Sequence, residues 1–517
     1  MPECEGQSSV KRWRIINELL HAHQTDSTRT DHENRNLVDS FSDFFTAKIT
    51  DLKCTIARKL ASFTSLPSFD VSQHTPQKFH ICHPVTIAEV HNIIKAVPPK
   101  CSSADRIPPA VVKTCPGVFL ELIAELSNRS FREGSFPSLF KHAAVTSILK
   151  QPNLDKSDPS NYRPISNLDF ISKIHELLFQ GRIQPHVLSS PNFNKFQSAY
   201  RPSYSTETSL LSMLDSIFRS SDSGASTLLV SLDLSAAFDT IDHRILINRL
   251  STSYGFSGPS LSWIQSYLNN RTQYVRFGRH SSSPNTCSSG VPQGSVLGPL
   301  LFNIYTSPVA KIANSFTVSQ RQYADDTQLF ISLSPSNFSS GLNNLTDCLD
   351  ALHVWFCQNG MALNPTKSDA AIFGTQKRSH SYSSLESVNF AGTNITLSDH
   401  IKILGTTLDS HLTMDRHVSS ICKSSCYHIR ALRHIRTSIT DESAKLVASS
   451  FTSARLDYAN SILHGTSHKN IQRLQRVQNA LARVVLSPVP SVPSDSLTKL
   501  HWLPVDYRIN YKLAILT

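Results

Sequence analysis

A chain of 517 residues with 39% apolar content can build sizeable cores in two to four domains, and no stretch of it approaches the ~20 apolar residues of a membrane span. Charged residues make up only 17%, yet the formal net charge is +11, a balance that points to a polyanion partner, nucleic acid first. The ten cysteines include no Cys-x-x-Cys pair and the start, Met1 to Gly6, has no signal-peptide apolar core, which argues against a disulfide scaffold or a secreted protein and for an intracellular one with free thiols.

Residues 1–85 read as a polar N-terminal region. It holds one helix, Asn36 to Ile49, with Leu37, Phe41, Phe44, Phe45 and Ile49 at helical spacing, and a Ser- and Pro-bearing linker over 62–84. Helical patterns resume at Ile87–Ala96 and Val118–Arg132. A short strand, Ala143–Leu149, leads into a Pro- and Asp-rich loop from Lys150 to Pro164. Lys150 and Arg163 flank that loop, and a lysine point charge beside an arginine fork suits a triphosphate; each also fits an ordinary surface charge. In Gln197-Ser198-Ala199-Tyr200-Arg201, Arg201 offers a further cation for template phosphate.

The apolar strand Thr227–Leu232 ends on Asp233. Further on, Tyr323-Ala324-Asp325-Asp326 reads as the turn of a β-hairpin carrying two carboxylates. Acids at the ends of apolar strands are costly to hold together unless something positive lies between them, and hard divalent cations take carboxylate oxygens. Three carboxylates from two strands suit a metal pair that activates a hydroxyl and stabilises a leaving pyrophosphate, the chemistry of a nucleotide polymerase. Phe238, expected on the following helix, is either a bulky gate against a ribose 2′-hydroxyl or a core aromatic. Asp239 and Asp242 read as helix-start and surface charges.

Gly290 to Pro299 packs glycines and prolines ahead of a helix at Leu300–Tyr305. Glycine there would let the backbone approach a base pair, and Gln293 can hydrogen-bond nucleotide and template. Lys367, after Leu363-Asn364-Pro365-Thr366, is placed to give a proton to departing pyrophosphate, or is a solvated turn lysine. Strand-like and helix-like segments alternate to about residue 375, an α+β pattern. Ile403 to Asp409 reads as a short strand with a tight turn, suited to holding a primer end.

From Ile401 the pattern is mostly helical, and residues 401–517 carry 15 Lys/Arg against 7 Asp/Glu. Leu474, Val477, Leu481 and Val484 form one face of a helix over Ile471–Val485, with Arg473, Arg476 and Arg483 beside it. Pro488 to Pro493 breaks it, and Leu500 to Pro504 begins an element the chain does not finish. Cys422, Cys426 and His428 lie close together on an apparent helix without a fourth zinc ligand.

Taken in order, these motifs resemble the reverse transcriptases of LINE-type (non-LTR, jockey-like) retrotransposons from about Ile87 onward. The resemblance rests on Lys150 with Asn161-Tyr162-Arg163-Pro164-Ile165, on Ser205-Thr206-Glu207-Thr208, and on Leu232 to His243. Gly290 to Phe302, Tyr323 to Leu329 and Leu363 to Lys367 complete it. It implies a right-hand polymerase fold, with fingers over 86–200, a palm with an antiparallel sheet over 201–395 and a basic helical thumb over 396–517. It also implies RNA-directed DNA synthesis with two Mg²⁺ ions (Mn²⁺ as the alternative) on Asp233, Asp325 and Asp326. Template RNA, a DNA primer or target and dNTPs are the implied partners, with no membrane. The implied setting is a ribonucleoprotein of nucleus and cytoplasm. Arg106 stands where the family often has a small residue or proline. The first 85 residues leave no room for an endonuclease, and neither an RNase H segment nor a Cys/His knuckle is visible, so a truncated product is expected. The rival reading is a catalytically inactive remnant that only binds nucleic acid. A group II intron or telomerase type of polymerase fits the stretch 235–243 less well.

Overall fold

The computed structural model of the chain describes residues 31–63, 75–151, 153–382, 384–486 and 493–516. At its centre is an antiparallel sheet in the order Asp369–Phe373, Ser226–Leu232, Asp326–Leu333, Ser319–Tyr323. Ser226–Leu232 can sit inside this sheet because it is apolar on both sides, and side chains alternate along a strand. Leu228, Val230 and Leu232 enter one core, shared with the helices Gly298–Thr306 and Phe338–Gln358. Leu229 enters a second, with Phe330, Ala371 and Phe373 from its neighbours and Leu210, Met213 and Leu214 from the helix Thr206–Asp222. The sheet is therefore a wall between two cores.

A second sheet runs Tyr162–Asn167, His142–Leu149, Arg271–Phe277, His280–Ser281, with Asn285–Cys287 also paired to Arg271–Phe277. Here the expected loop from Lys150 to Pro164 is shorter than the sequence suggests. Tyr162, Arg163 and Pro164 are already on a strand, with Arg163 opposite Ile148. That strand is a sheet edge, where proline's missing N–H costs no ladder bond.

After the hairpin His400–Ile403 and Thr406–Asp409 come the helices Asp415–Ile435, Asp441–Arg455, His468–Leu486, Pro493–Lys499 and Val505–Leu516. Leu474, Val477, Leu481 and Val484 are buried as their spacing implies. Glu207 ties this helical part to the central sheet: its buried carboxylate accepts from Ser461 N (3.0 Å) and Oγ (2.5 Å) and meets Lys512 Nζ at 3.2 Å. Lys512 lies on the last helix, so the segment after Leu500 continues into a helix, Val505–Leu516. Val505 and Ile509 bury one side of it, and Arg508 pairs with Asp457. Most of the Pro488 to Pro493 run lies outside the described residues.

The N-terminal region departs most from expectation. Its helix spans Asp31–Ser62, because Leu52, Ile56 and Leu60 continue the apolar spacing past Ile49. Val38, Phe41 and Phe45 pack against Val145 and Val275 of the second sheet, while Ile56 packs on Cys357 and Ala362. Of the expected linker, 64–74 lies outside the described residues. The part from Thr75 is docked, with Phe79 N donating to Gly255 O at 2.9 Å. Among the described residues no helix is long and apolar enough to cross a membrane.

Phe41 is 3% exposed and meets Tyr162 edge-on at 4.8 Å. Phe41→Ala should cost about 3 kcal/mol locally and speed proteolytic cleavage within 31–62; an unchanged cleavage rate would mean that this helix is not docked.

Candidate active site

The pairing register does the first work. Leu232 faces Thr327 and Tyr323 faces Asp326, so the next step along the ladder sets Asp233 beside Asp326. Facing residues on antiparallel neighbours lie about 4.5–5.5 Å apart between Cα atoms. Ala324 and Asp325 form the tight turn between the strands. Ala324 has φ +56°, which a non-glycine residue adopts at a cost.

Gln197 holds that turn. Its Oε1 accepts from Ala324 N (2.9 Å) and Ala199 N (3.0 Å), and its Nε2 donates to Ala324 O (3.0 Å). Gln322 donates to Thr327 Oγ1 at 3.0 Å and accepts from Asn194 Nδ2, so the base of the hairpin is bonded from within. On the other side Asn364 N donates to Asp233 O (2.9 Å) and Asp233 N to Ser368 Oγ (3.3 Å). The segment bearing Lys367 is thereby fixed to the strand end bearing Asp233.

The electrostatics match this crowding. Burial pushes the carboxyl of Asp233 up; Lys367 opposes this and Asp325 adds to it. Burial also raises Asp325, with Arg163 pulling the other way. Asp326 is pushed up to about 6 by burial, Asp325 and Asp233, against Arg163. Its side chain reaches the surface at the lip of the site, so solvent moderates that repulsion. Hard oxygen donors that repel one another fit a hard divalent cation, which would restore all three to their charged form. Among the described residues, no three His, Cys, Asp or Glu side chains converge closely enough to share one ion. The trio is adjacent, with its carboxylates still apart.

Arg163 and Lys367 face the acids, and Lys150 and Lys48 lie near these cations in turn. Lys150 Nζ donates to Ser160 O at 2.7 Å, and its ammonium is pushed down by burial and by Lys48, Lys367 and Arg163. Lys367 is exposed at the end of the single turn Pro365–Lys367. Lys48 comes from the N-terminal helix; the sequence reading missed it because nothing local to it signals proximity to a site over a hundred residues away. Tyr200 was passed over as well. It is 51% exposed, has φ +61°, and lies beside Asp325 and Tyr323. A bulky residue in the left-handed region is a structural signal with no counterpart in sequence.

Other expected residues fall differently. Phe238 lies in a turn before the helix His243–Tyr254, half-buried and stacked on Phe302 at 4.8 Å and 18°. Arg201 is turned into its own loop: Nη1 donates to Lys195 O and Gln197 O at 2.9 Å, and the guanidinium lies 4.1 Å over the Tyr204 ring. Gln293 is half-buried, with its carbonyl accepting from Ser166 N at 2.8 Å. The glycines around it serve the chain's own packing. A Cβ on Gly290 (φ +80°) would lie 2.7 Å from Asp239 O, and one on Gly294 (φ +119°) 2.6 Å from Ser166 O. Asp242 does cap its helix, accepting from Arg244 N and Ile245 N. Asp239 is no surface charge: it lines a cavity of about 140 Å³ with Lys48, His243 and Gln293, and burial raises its carboxyl to about 6 against Lys48.

Against known proteins, residues 150–408 match the family model described as reverse transcriptase (RNA-dependent DNA polymerase). The chain is 27% identical over 412 residues to the "Probable RNA-directed DNA polymerase from transposon BS" of Drosophila melanogaster, covering 78% of this chain and 44% of that one. It is 28% identical over 345 residues to the "RNA-directed DNA polymerase from mobile element jockey" of the same organism, covering 65% and 36%. The chain thus spans less than half the length of these curated relatives. A solved apo telomerase from Candida tropicalis aligns with a TM-score of 0.36 and 12% identity, over 61% of this chain and 62% of that one.

Asp239 gives a pH test of the site's packing. Its folded value near 6 lies above the ordinary 3.8, so the folded chain holds more protons than the unfolded one between those values, and stability falls as pH rises through them. Asp239→Asn should match wild type below about pH 4 and exceed it in Tm by a few degrees above about pH 6; superimposable Tm profiles would remove the buried charge.

Proposed function

Because this chain belongs to the reverse transcriptase (RNA-dependent DNA polymerase) family, we propose that it extends a DNA 3′ end on an RNA template as LINE-type elements do, with Asp233, Asp325 and Asp326 at the reacting centre. The observation that carries this is the register that sets Asp233 beside the 325–326 turn, with Arg163 and Lys367 opposite. On this reading residues 86–200 are fingers, 201–395 palm and 396–517 thumb. The N-terminal helix contributes Lys48 to the fingers side. The working form is a ribonucleoprotein of template RNA, DNA primer or target and dNTPs, formed in the cytoplasm and acting in the nucleus.

Held by the three aspartates, a pair of Mg²⁺ ions (or Mn²⁺) would supply activation of the primer hydroxyl and neutralisation of the leaving pyrophosphate. The chain's own groups do the rest. Arg163 on its strand and Lys150 just past the end of the neighbouring one offer a fork and a point charge for the triphosphate. Lys367 is exposed beside Asp233 and carries the proton that departing pyrophosphate needs. Phe238 sits five residues past Asp233 with its ring braced by Phe302, where it bounds the sugar's 2′ side. Gln293 lies on the neighbouring loop, bonded to the same turn through Val291 N to Phe238 O at 2.9 Å. Exposed basic side chains on the C-terminal helices, among them Arg476 and Arg483, would grip duplex phosphates.

Primer extension on poly(rA)–oligo(dT) tests the centre. Asp325→Asn should lose about 10³-fold or more in rate, roughly 4 kcal/mol, while template binding keeps its salt slope. Equal extension by the variant sinks the assignment, and wild-type chain that binds template without making product replaces synthesis with binding alone. Phe238→Val should raise ribonucleotide incorporation about tenfold or more relative to dNTPs; unchanged sugar selection leaves Phe238 as a packing residue only.

A further inference from the structure

Glu176 is fully buried on the helix Phe170–Ser189, and nothing in the chemistry above uses it. A carboxylate with no exposure is expensive unless its oxygens are bonded. Here they are bonded to the loop that carries Gln293. One oxygen accepts from Val296 N (2.9 Å), Leu297 N (3.1 Å) and Tyr267 Oη (3.2 Å), and Ser172 Oγ reaches the other at 3.5 Å. Val296 and Leu297 immediately precede the helix Gly298–Thr306, whose first amides have no partners within the helix.

The loop's remaining ties run to other parts of the site. Gly290 N donates to Ile241 O (2.8 Å), Val291 N to Phe238 O (2.9 Å), and Ser166 N to Gln293 O (2.8 Å). Its upstream half is therefore bonded to the segment after Asp233 and to the strand bearing Arg163, while Glu176 takes its downstream half. Buried Arg271 lies near Glu176 and donates to Tyr267 O at 2.9 Å, offsetting part of the burial that raises the carboxyl. The Glu176 side chain thus joins its own helix to Tyr267 and to the loop backbone at Val296, three residues from Gln293.

We propose that Glu176 is a positioning residue for nucleotide binding, its carboxylate fixing the Val296–Leu297 backbone so that Gln293 keeps its place against the incoming dNTP. This rests on the reading of the Gly290 to Pro299 loop as the floor of the nucleotide site. A neutral amide oxygen is a weaker acceptor than the carboxylate oxygen that takes all three donors, so the loop loosens where it meets the nucleotide. The duplex grip, assigned above to basic side chains of the C-terminal helices, lies on segments that Glu176 does not bond.

The test is steady-state single-nucleotide extension by the full chain, with primer–template Kd and Tm measured beside it. Glu176→Gln should raise the dNTP KM about tenfold with kcat changed less than threefold and primer–template Kd unchanged. Tyr267→Phe, which removes one donor to the same carboxylate, should raise it two- to threefold and serves where the first variant folds poorly. Gln293→Ala should raise the dNTP KM in the same assay. If Gln293→Ala raises it and both other variants leave it alone, the inference on Glu176 is overturned. If the Glu176→Gln losses in dNTP KM, primer–template Kd and Tm run in parallel, its role is plain stability and the inference is likewise overturned. If Gln293→Ala leaves the dNTP KM unchanged, it is the nucleotide-floor reading that falls.

Discussion

Like charges on neighbouring strand ends repel, and the central register gives Asp233, Asp325 and Asp326 no route apart. Everything around them works against that repulsion. The strand behind Asp233 is apolar on both faces and locked between two cores, so it cannot slip by a residue without turning Leu228 and Val230 out of one core and Leu229 out of the other. The hairpin cannot open at its turn without stripping Ala324 of all its bonds to a buried Gln197. The backbone register thus keeps the three acids adjacent at a cost in stability.

Motifs far apart in the chain behave here as one body because their backbones bond directly. Phe238 O receives Val291 N, Gln293 O receives Ser166 N, and Asp233 O receives Asn364 N. Backbone bonds of this kind transmit position without depending on side-chain identity. They also explain the glycines: Gly290 and Gly294 approach Asp239 O and Ser166 O so closely that a methyl group would clash.

The two ends of the chain are drawn into the same construction. The N-terminal helix lies along the second sheet through Phe41 and Phe45 and brings Lys48 toward Lys150 and Asp239. The last helix reaches back through Lys512 to Glu207, which begins the helix packed on the sheet's other face. The cations that offset partly or fully buried acids therefore come from separate segments: Lys48 for Asp239, Lys512 for Glu207, and Arg163 and Lys367 for the strand-end aspartates.

Local pattern made much of this legible in the sequence. The two-sided apolar run 227–232, the acids that end it and the hairpin at 323–326 follow from side-chain periodicity, and the helix face of Leu474, Val477, Leu481 and Val484 follows from the 3.6-residue repeat. What periodicity does not carry is which distant groups meet. Arg163 on an edge strand, Asp239 in a cavity and the docking of the helix at 31–62 each depend on a partner supplied by another part of the chain. So do the Gln197 and Glu176 bonds, since any Gln or Glu in a helix or loop looks alike until its acceptor or donor is known. The sequence by itself determined the elements and the chemical types present, because those depend on neighbours within a few residues. Only the tertiary structure decided which charges face one another and which polar groups are buried, because distance through space and exclusion of water exist only once the chain has packed.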